Sequence, residues 1–267
     1  MYHQFKELAD VDITAEPMEI GPTCHYVMGG VEVDADTQES AVTGLYAVGE
    51  CSGGMHGSNR LGGNSLGDLL VFGKRAGEAA TAYASSLGDA RPQVDEAEVK
   101  SAQTSALAPF EVEGGENPYT IQSDLQQSMN DLVGIIRTKD EVEQALAKLE
   151  ALKVRAGKIS VQGDKVFNPG WHLALDLPNM LIVSECVARA ALIREESRGG
   201  HTRDDFPAMS PQWRKVNLVC RPVGDGVEVT QQPLPVMPPE LLSLFERDEL
   251  NKYMTEEELA TLPEEKA

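Results

Sequence analysis

The densest group of residues able to do chemistry in this 267-residue chain is His56-Gly57-Ser58-Asn59-Arg60-Leu61-Gly62-Gly63-Asn64-Ser65. Arg60 is the only Lys or Arg between Lys6 and Lys74. Its planar fork suits bidentate binding of a carboxylate or phosphate. On spacing alone two roles stay open for it: gripping an anionic ligand, or pairing with a core carboxylate such as Glu50. A second group is Pro22-Thr23-Cys24-His25-Tyr26-Val27-Met28-Gly29-Gly30. Here His25 either binds an anionic ligand or exchanges a proton, or is a half-buried histidine satisfied locally. A third group, Glu195-Glu196-Ser197-Arg198-Gly199-Gly200-His201-Thr202-Arg203-Asp204-Asp205-Phe206-Pro207, mixes both signs of charge. Arg198 and Arg203 read there as salt-bridged structural groups or as interface groups.

The elements that must position these residues follow from periodicity. Tyr26 to Val33 and Gly44 to Gly49 read as short strands. Gly53, Gly54, Gly57, Gly62 and Gly63 all fall within residues 51–64, a loop whose backbone can approach a ligand closely. From Ser65 to about Ser85, Leu66, Leu69, Leu70, Phe72, Ala76 and Ala80 recur at helical spacing, with Asn64 as the N-cap. A glycine loop running into a helix is a site for anions or for the polar edge of a cofactor. Residues 87–117 read as an acidic, solvated linker with a short helix at 94–104. Three helices follow, over about 120–134, 139–156 and 171–196, forming an antiparallel bundle. Thr138 and Glu141 form a capping box for the second, and Pro178 predicts a kink or restart in the third. Val216 to Cys220 and Val227 to Thr230 flank Gly224-Asp225-Gly226, a hairpin signal. Residues 240–267 read as short polar helices or a tail.

Composition narrows the function classes. The chain is 41% hydrophobic and 25% charged, enough to bury a core. Its formal net charge of −20 argues against nucleic acid and against anionic lipid head groups as partners. Cys24, Cys51, Cys186 and Cys220 form no CxxC pair, so no metal site is expected, and a reducing compartment suits them. No apolar run approaches the ~20 residues that span a bilayer, and the N-terminal stretch lacks a signal core.

Three stretches together, PTCHYVMGGVEVD, GLYAVGECSGGMHGSNRLGGNSLGDLLVFGKRAG and ESRGGHTRDDFP, resemble the flavoprotein subunit of succinate dehydrogenase or fumarate reductase. The resemblance covers nearly the whole chain, in order. The wider superfamily includes L-aspartate oxidase, which usually has Ala-Ser where this chain has Gly62-Gly63. The resemblance implies an α/β plus α fold. Residues 1–86 would be the C-terminal portion of a doubly wound FAD-binding domain, the first dozen leaving a capping domain. Then come the 87–117 linker, the 118–198 helical bundle and a 199–267 C-terminal domain with the hairpin and acidic tail.

The same resemblance implies FAD as cofactor and interconversion of succinate and fumarate by hydride transfer at flavin N5. His25 and Arg60 would bind the substrate carboxylates. Glu50, Ser65 and Leu66 would contact FAD. Electrons would pass to an iron–sulfur subunit, and membrane-anchor subunits would hold the complex on the cytoplasmic face of the cell membrane. The chain is expected to be the C-terminal half of such a flavoprotein, inactive alone. The GxGxxG turn, the flavin-linking histidine and the proton-transfer arginine would lie upstream of it. Two alternatives remain at this level: an L-aspartate oxidase-like flavoenzyme, and a non-catalytic module that docks the iron–sulfur subunit.

Overall fold

The computed structural model describes residues 2–19, 21, 25–90, 93–224 and 226–262. The expectations for Cys24 and for the Asp225 turn position lie outside the described residues. The chain divides into two compact units, Met1–Tyr83 and Ala84–Ala267.

The first unit opens with α1 (Tyr2–Ala9), which buries nothing. The two expected strands are not formed as strands. They are reduced to single bridges, Val31 with Ser52, Val33 with Ser40 and Glu39 with Tyr46. The physical reason is local. Gly29 and Gly30 turn the chain at φ 115° and 152°. The Asp34 carboxylate then takes the N–H groups of Asp36 and Thr37 at 3.0 and 2.9 Å, offering the backbone a turn in place of a ladder. A Cβ at Gly30 would run into the Cys51 carbonyl, and one at Gly53 would lie 3.2 Å from the Gly30 backbone.

Helix α2 (Asn64–Ser86) starts one residue earlier than expected: Asn64 is its first residue, not its cap. Gly63, at φ 84°, makes the left-handed entry. The leucines that recur at helical spacing along α2 do not form its buried face. Instead α2 buries Asp68 and Ala76, while Leu66, Leu69 and Leu70 remain 67%, 51% and 77% exposed. Leu69 is spent on covering Gly49, and among the described residues of this unit no apolar layer covers the rest. Arg75 ties α2 back to the 34–37 turn through the Ala35 carbonyl at 3.1 Å.

The second unit is built on capped helices. The acidic segment holds α3 (Glu96–Leu107), capped by Asp95, and a short 3-10 turn at Ala108–Phe110. Phe110 packs against the bundle, so this end of the segment is not solvated linker. Helix α4 (Pro118–Leu132) is capped by Asn117 with Pro at its first turn. Helix α5 (Lys139–Ala156) carries the reciprocal Thr138–Glu141 capping box. Helix α6 (Pro169–Ile193) is capped by Asn168 and runs without a break through Pro178. Leu177 and Leu181, fully or almost fully buried, flank that proline. Ile121, Leu125, Val142, Ala145, Leu149 and Ala188 complete the centre of the core.

Buried charges in this unit are paired. Glu185 meets Lys153 at 2.5 Å and Arg189 at 2.6 Å. Arg198 and Arg203 take the structural role: Arg198 pairs with buried Glu196 at 2.9 Å, and Arg203 with Asp205 at 2.7 Å. Arg203 also donates to the carbonyls of Ala191 and Leu192, closing the end of α6. This loop is pinned to β1 (Ile136–Arg137) by parallel pairing with β2 (Thr202–Arg203). A hairpin of β3 (Val216–Val223) and β4 (Gly226–Pro233) follows, longer than its sequence signal. Short helices α7 (Pro239–Leu242), α8 (Arg247–Leu250) and α9 (Glu256–Ala260) end the described chain.

Candidate active site

Arg60 is half-buried in the glycine loop of the first unit. Its Nη1 donates to the Leu61 carbonyl at 3.0 Å, and its guanidinium carbon lies 4.9 Å over the Tyr26 ring. Its Nε is buried with no acceptor. The pairing with Glu50 that spacing left open is not made, and no carboxylate among the described residues pairs with Arg60. The arginine is preoriented by a backbone carbonyl and an aromatic face, with charge left to offer an anion.

Tyr26 is itself held. Its hydroxyl donates to Asp68 Oδ2 at 3.3 Å, and His56 Nε2 meets the same oxygen at 3.3 Å. The Tyr26 and His56 rings stand edge to face, 5.5 Å apart. Burial, then the neighbouring Asp68 charge and hydrogen bond, push the Tyr26 phenol above its ordinary range. Sequence reasoning missed Tyr26, His56 and Asp68 as site residues. The available signal was Asp68 itself, one acidic residue inside the run Leu66-Gly67-Asp68-Leu69-Leu70.

His25 is exposed and directly precedes Tyr26. Glu50 lies in a 3-10 turn (Gly49–Cys51) and accepts the Val27 N–H through Oε1 at 3.1 Å. Its Oε2 has no donor among the described residues. At the start of α2, the Leu66 N–H is used by the Gly63 carbonyl at 3.2 Å, whereas the Ser65 N–H has no acceptor among the described residues. The first turn of α2 carries no acidic side chain to neutralise its positive end. A Cβ at Gly62 or Gly67 would meet nothing within 4 Å, so the surface around this helix end is open. The structure therefore brings Arg60, Tyr26, Asp68 and His56 together, sets His25 beside them in the chain, and leaves Glu50 and Ser65 each with an unused polar atom.

Residues 122–244 match the family model described as fumarate reductase flavoprotein C-term, and residues 1–66 match an FAD binding domain. Over 223 residues the chain is 40% identical to a component of the fumarate reductase (CoM/CoB) of Methanothermobacter marburgensis, covering 83% of this chain and 39% of that protein. The chain belongs to the succinate dehydrogenase and fumarate reductase flavoprotein family. Another relative is the fumarate reductase flavoprotein subunit of Escherichia coli, 39% identical over 202 residues, covering 75% of this chain and 33% of the relative. Among solved structures, Mycobacterium smegmatis Sdh1 in complex with UQ1 superposes with a TM-score of 0.90 at 60% identity, over 98% of this chain and 44% of that one. The chain thus spans about two-fifths of the length of the curated relative it matches over most of its residues. FAD is the cofactor of this flavoprotein. The donor set fits it: an open glycine surface, an unused helix N–H and a carboxylate oxygen suit a polyhydroxylated, anionic cofactor.

Proposed function

We propose that this flavoprotein chain supplies the substrate-gripping wall and part of the FAD wall of an enzyme that interconverts succinate and fumarate. The observation that carries this reading is Arg60, a half-buried guanidinium fixed by Tyr26 and Leu61 yet without a carboxylate partner among the described residues. Arg60 holds one substrate carboxylate through its fork, and His25 holds the other. Between them the dicarboxylate is oriented for reaction, which lowers the barrier by fixing approach and angle. Glu50 Oε2 accepts a hydroxyl of FAD. The Ser65 N–H and the positive end of α2 would hold the polar edge of the flavin, with Leu66 beside them. When bound, FAD takes up or gives the hydride.

Electrons pass to and from an iron–sulfur subunit. No helix among the described residues is long and apolar enough to cross a membrane, and attachment to the cytoplasmic face runs through anchor subunits. The 60% likeness to Sdh1 supports this reading over an L-aspartate oxidase.

The test is fumarate binding to the FAD-loaded protein, measured by calorimetry. Hydrogen bonds to charged groups are worth ~1.5–3 kcal/mol each, so losing a bidentate pair in Arg60→Ala costs several kcal/mol. Arg60→Lys is impaired too, because a point charge does not reproduce the fork. His25→Ser keeps FAD and weakens fumarate. Wild-type fumarate affinity in Arg60→Ala with FAD retained would overturn the assignment.

A further inference from the structure

We propose that Asp68 is the positioning residue of the substrate site, acting through Tyr26 on both Arg60 and His25. The inference rests on the reading of Arg60 and His25 as ligands of the substrate carboxylates.

Asp68 is 6% exposed and sits on the inward side of α2, among leucines that face outward. It has no Lys or Arg partner among the described residues. Its Oδ2 accepts from Tyr26 and meets His56, and its Oδ1 is buried with no donor. Burying a carboxylate in this state is costly, and an alanine at the same helix position would avoid the cost. What the carboxylate provides is an anchor for Tyr26. The phenol fixes the plane and height of the ring, and the ring is the seat on which the Arg60 guanidinium lies. A hydrogen bond from the phenol to an anion also enriches the ring face in electron density, which strengthens its attraction for the cation. His56 braces the ring from the side, edge to face at 81°.

The same segment is fixed a second time, one residue on, by Glu50 at the Val27 N–H. His25, immediately before Tyr26, therefore leaves a segment fixed at Tyr26 through its phenol and at Val27 through its backbone N–H, by carboxylates from two different elements. One buried group thus governs the placement of both substrate ligands, although it touches neither.

The experiment uses the FAD-loaded protein with fumarate as the probe. Asp68→Asn and Tyr26→Phe each weaken fumarate binding about tenfold, the scale of one lost hydrogen bond to a charged group. The double variant is no worse than either single one, because both break one chain of contacts. FAD content stays at the wild-type level. A second readout is independent of any ligand. In an ultraviolet phenolate titration, the transition that disappears in Tyr26→Phe moves to lower pH in Asp68→Asn.

An unchanged phenol titration, or losses that add in the double variant, would overturn the proposal. Should Asp68→Asn fail to fold, Tyr26→Phe carries the test alone, since it removes one oxygen and keeps the ring; wild-type fumarate affinity there overturns the proposal. If Arg60→Ala abolishes binding while Asp68→Asn binds normally, only the positioning role falls. If Arg60→Ala binds normally, the functional reading falls and the positioning role falls with it.

Discussion

Helices α2 and α5 both carry an apolar stripe in sequence, and the fold uses the two stripes in opposite ways. Helix α5 buries Val142, Ala145, Leu149 and Leu152 against α4 and α6. Helix α2 turns Asp68 inward and leaves Leu66, Leu69 and Leu70 exposed. Periodicity states which residues share a face; what covers that face is a separate matter. For α5 the cover is the neighbouring helices of its own unit. For α2, the face directed into its unit is the one that organises Tyr26 and Arg60. Of the two helices, the one that buries the fewer apolar residues is the one that holds the candidate chemistry, in keeping with the placement of binding residues beside a packed scaffold.

The contrast is tested most strongly by paired truncations. Leu149→Ala, at a fully buried position, costs ~2–5 kcal/mol of stability. Leu70→Ala, at a position 77% exposed, costs within ~0.5 kcal/mol. Both tryptophans, Trp171 and Trp213, lie in the second unit, so urea unfolding followed by their fluorescence reads the first variant directly. Far-ultraviolet circular dichroism reads the second. Equal losses in both variants would erase the distinction between the two helices.

A smaller effect, ~1 kcal/mol, is expected for Thr138→Ala, which removes the hydroxyl half of the α5 capping box. A urea midpoint identical to wild type would mean that α5 is held by its core face alone.

The smallest effect near neutrality is that of pH on the second unit. Burial, followed by the surrounding arginines, holds His201 below its ordinary value of 6.5. Its Nδ1 meets Arg137 Nη1 and its Nε2 meets the Arg194 carbonyl, both at 3.0 Å. The unfolded chain therefore takes up a proton near 6.5 that the folded chain refuses, and stability falls as pH falls below that value. Asp205, gripped by Arg203, and Glu258, gripped by Lys215, are both depressed to about 2. Their contribution is complete above the ordinary carboxylate range and is lost as pH drops toward about 2. Urea midpoints read by tryptophan fluorescence should decline monotonically on acidification, and Asp205→Asn should flatten the acid limb. A midpoint that rises on acidification would refute this account.

Legibility in the sequence followed locality. The limits of α5 were readable because Thr138 and Glu141 are three residues apart and cap the helix by themselves. The hairpin was readable for the same reason, although its ladder extends three residues beyond the first expected run and four beyond the second. The strands at 26–33 and 44–49 were misread. Their composition suits β structure, but the pairing that makes a strand is non-local, and the Asp34 turn intercepts it. Pro178 does not restart the helix, because burial on both sides outweighs one missing backbone bond. In the site, Arg60 stood out as an isolated cation. Its seat on Tyr26 spans 34 positions and the Tyr26–Asp68 bond spans 42, distances at which residue spacing carries no signal.

The glycines of the first unit keep two separate historical records. Gly30 is closed by the Cys51 carbonyl and Gly53 by the Gly30 backbone, whereas Gly62 and Gly67 face open space. Selection on the first pair is exerted by the chain upon itself and operates in every lineage that folds. Constraint on the second pair comes from outside this chain, from whatever covers that surface, ligand or further polypeptide. A chain that lost such cover while keeping its fold would hold Gly30 and Gly53 and be free to vary Gly62 and Gly67.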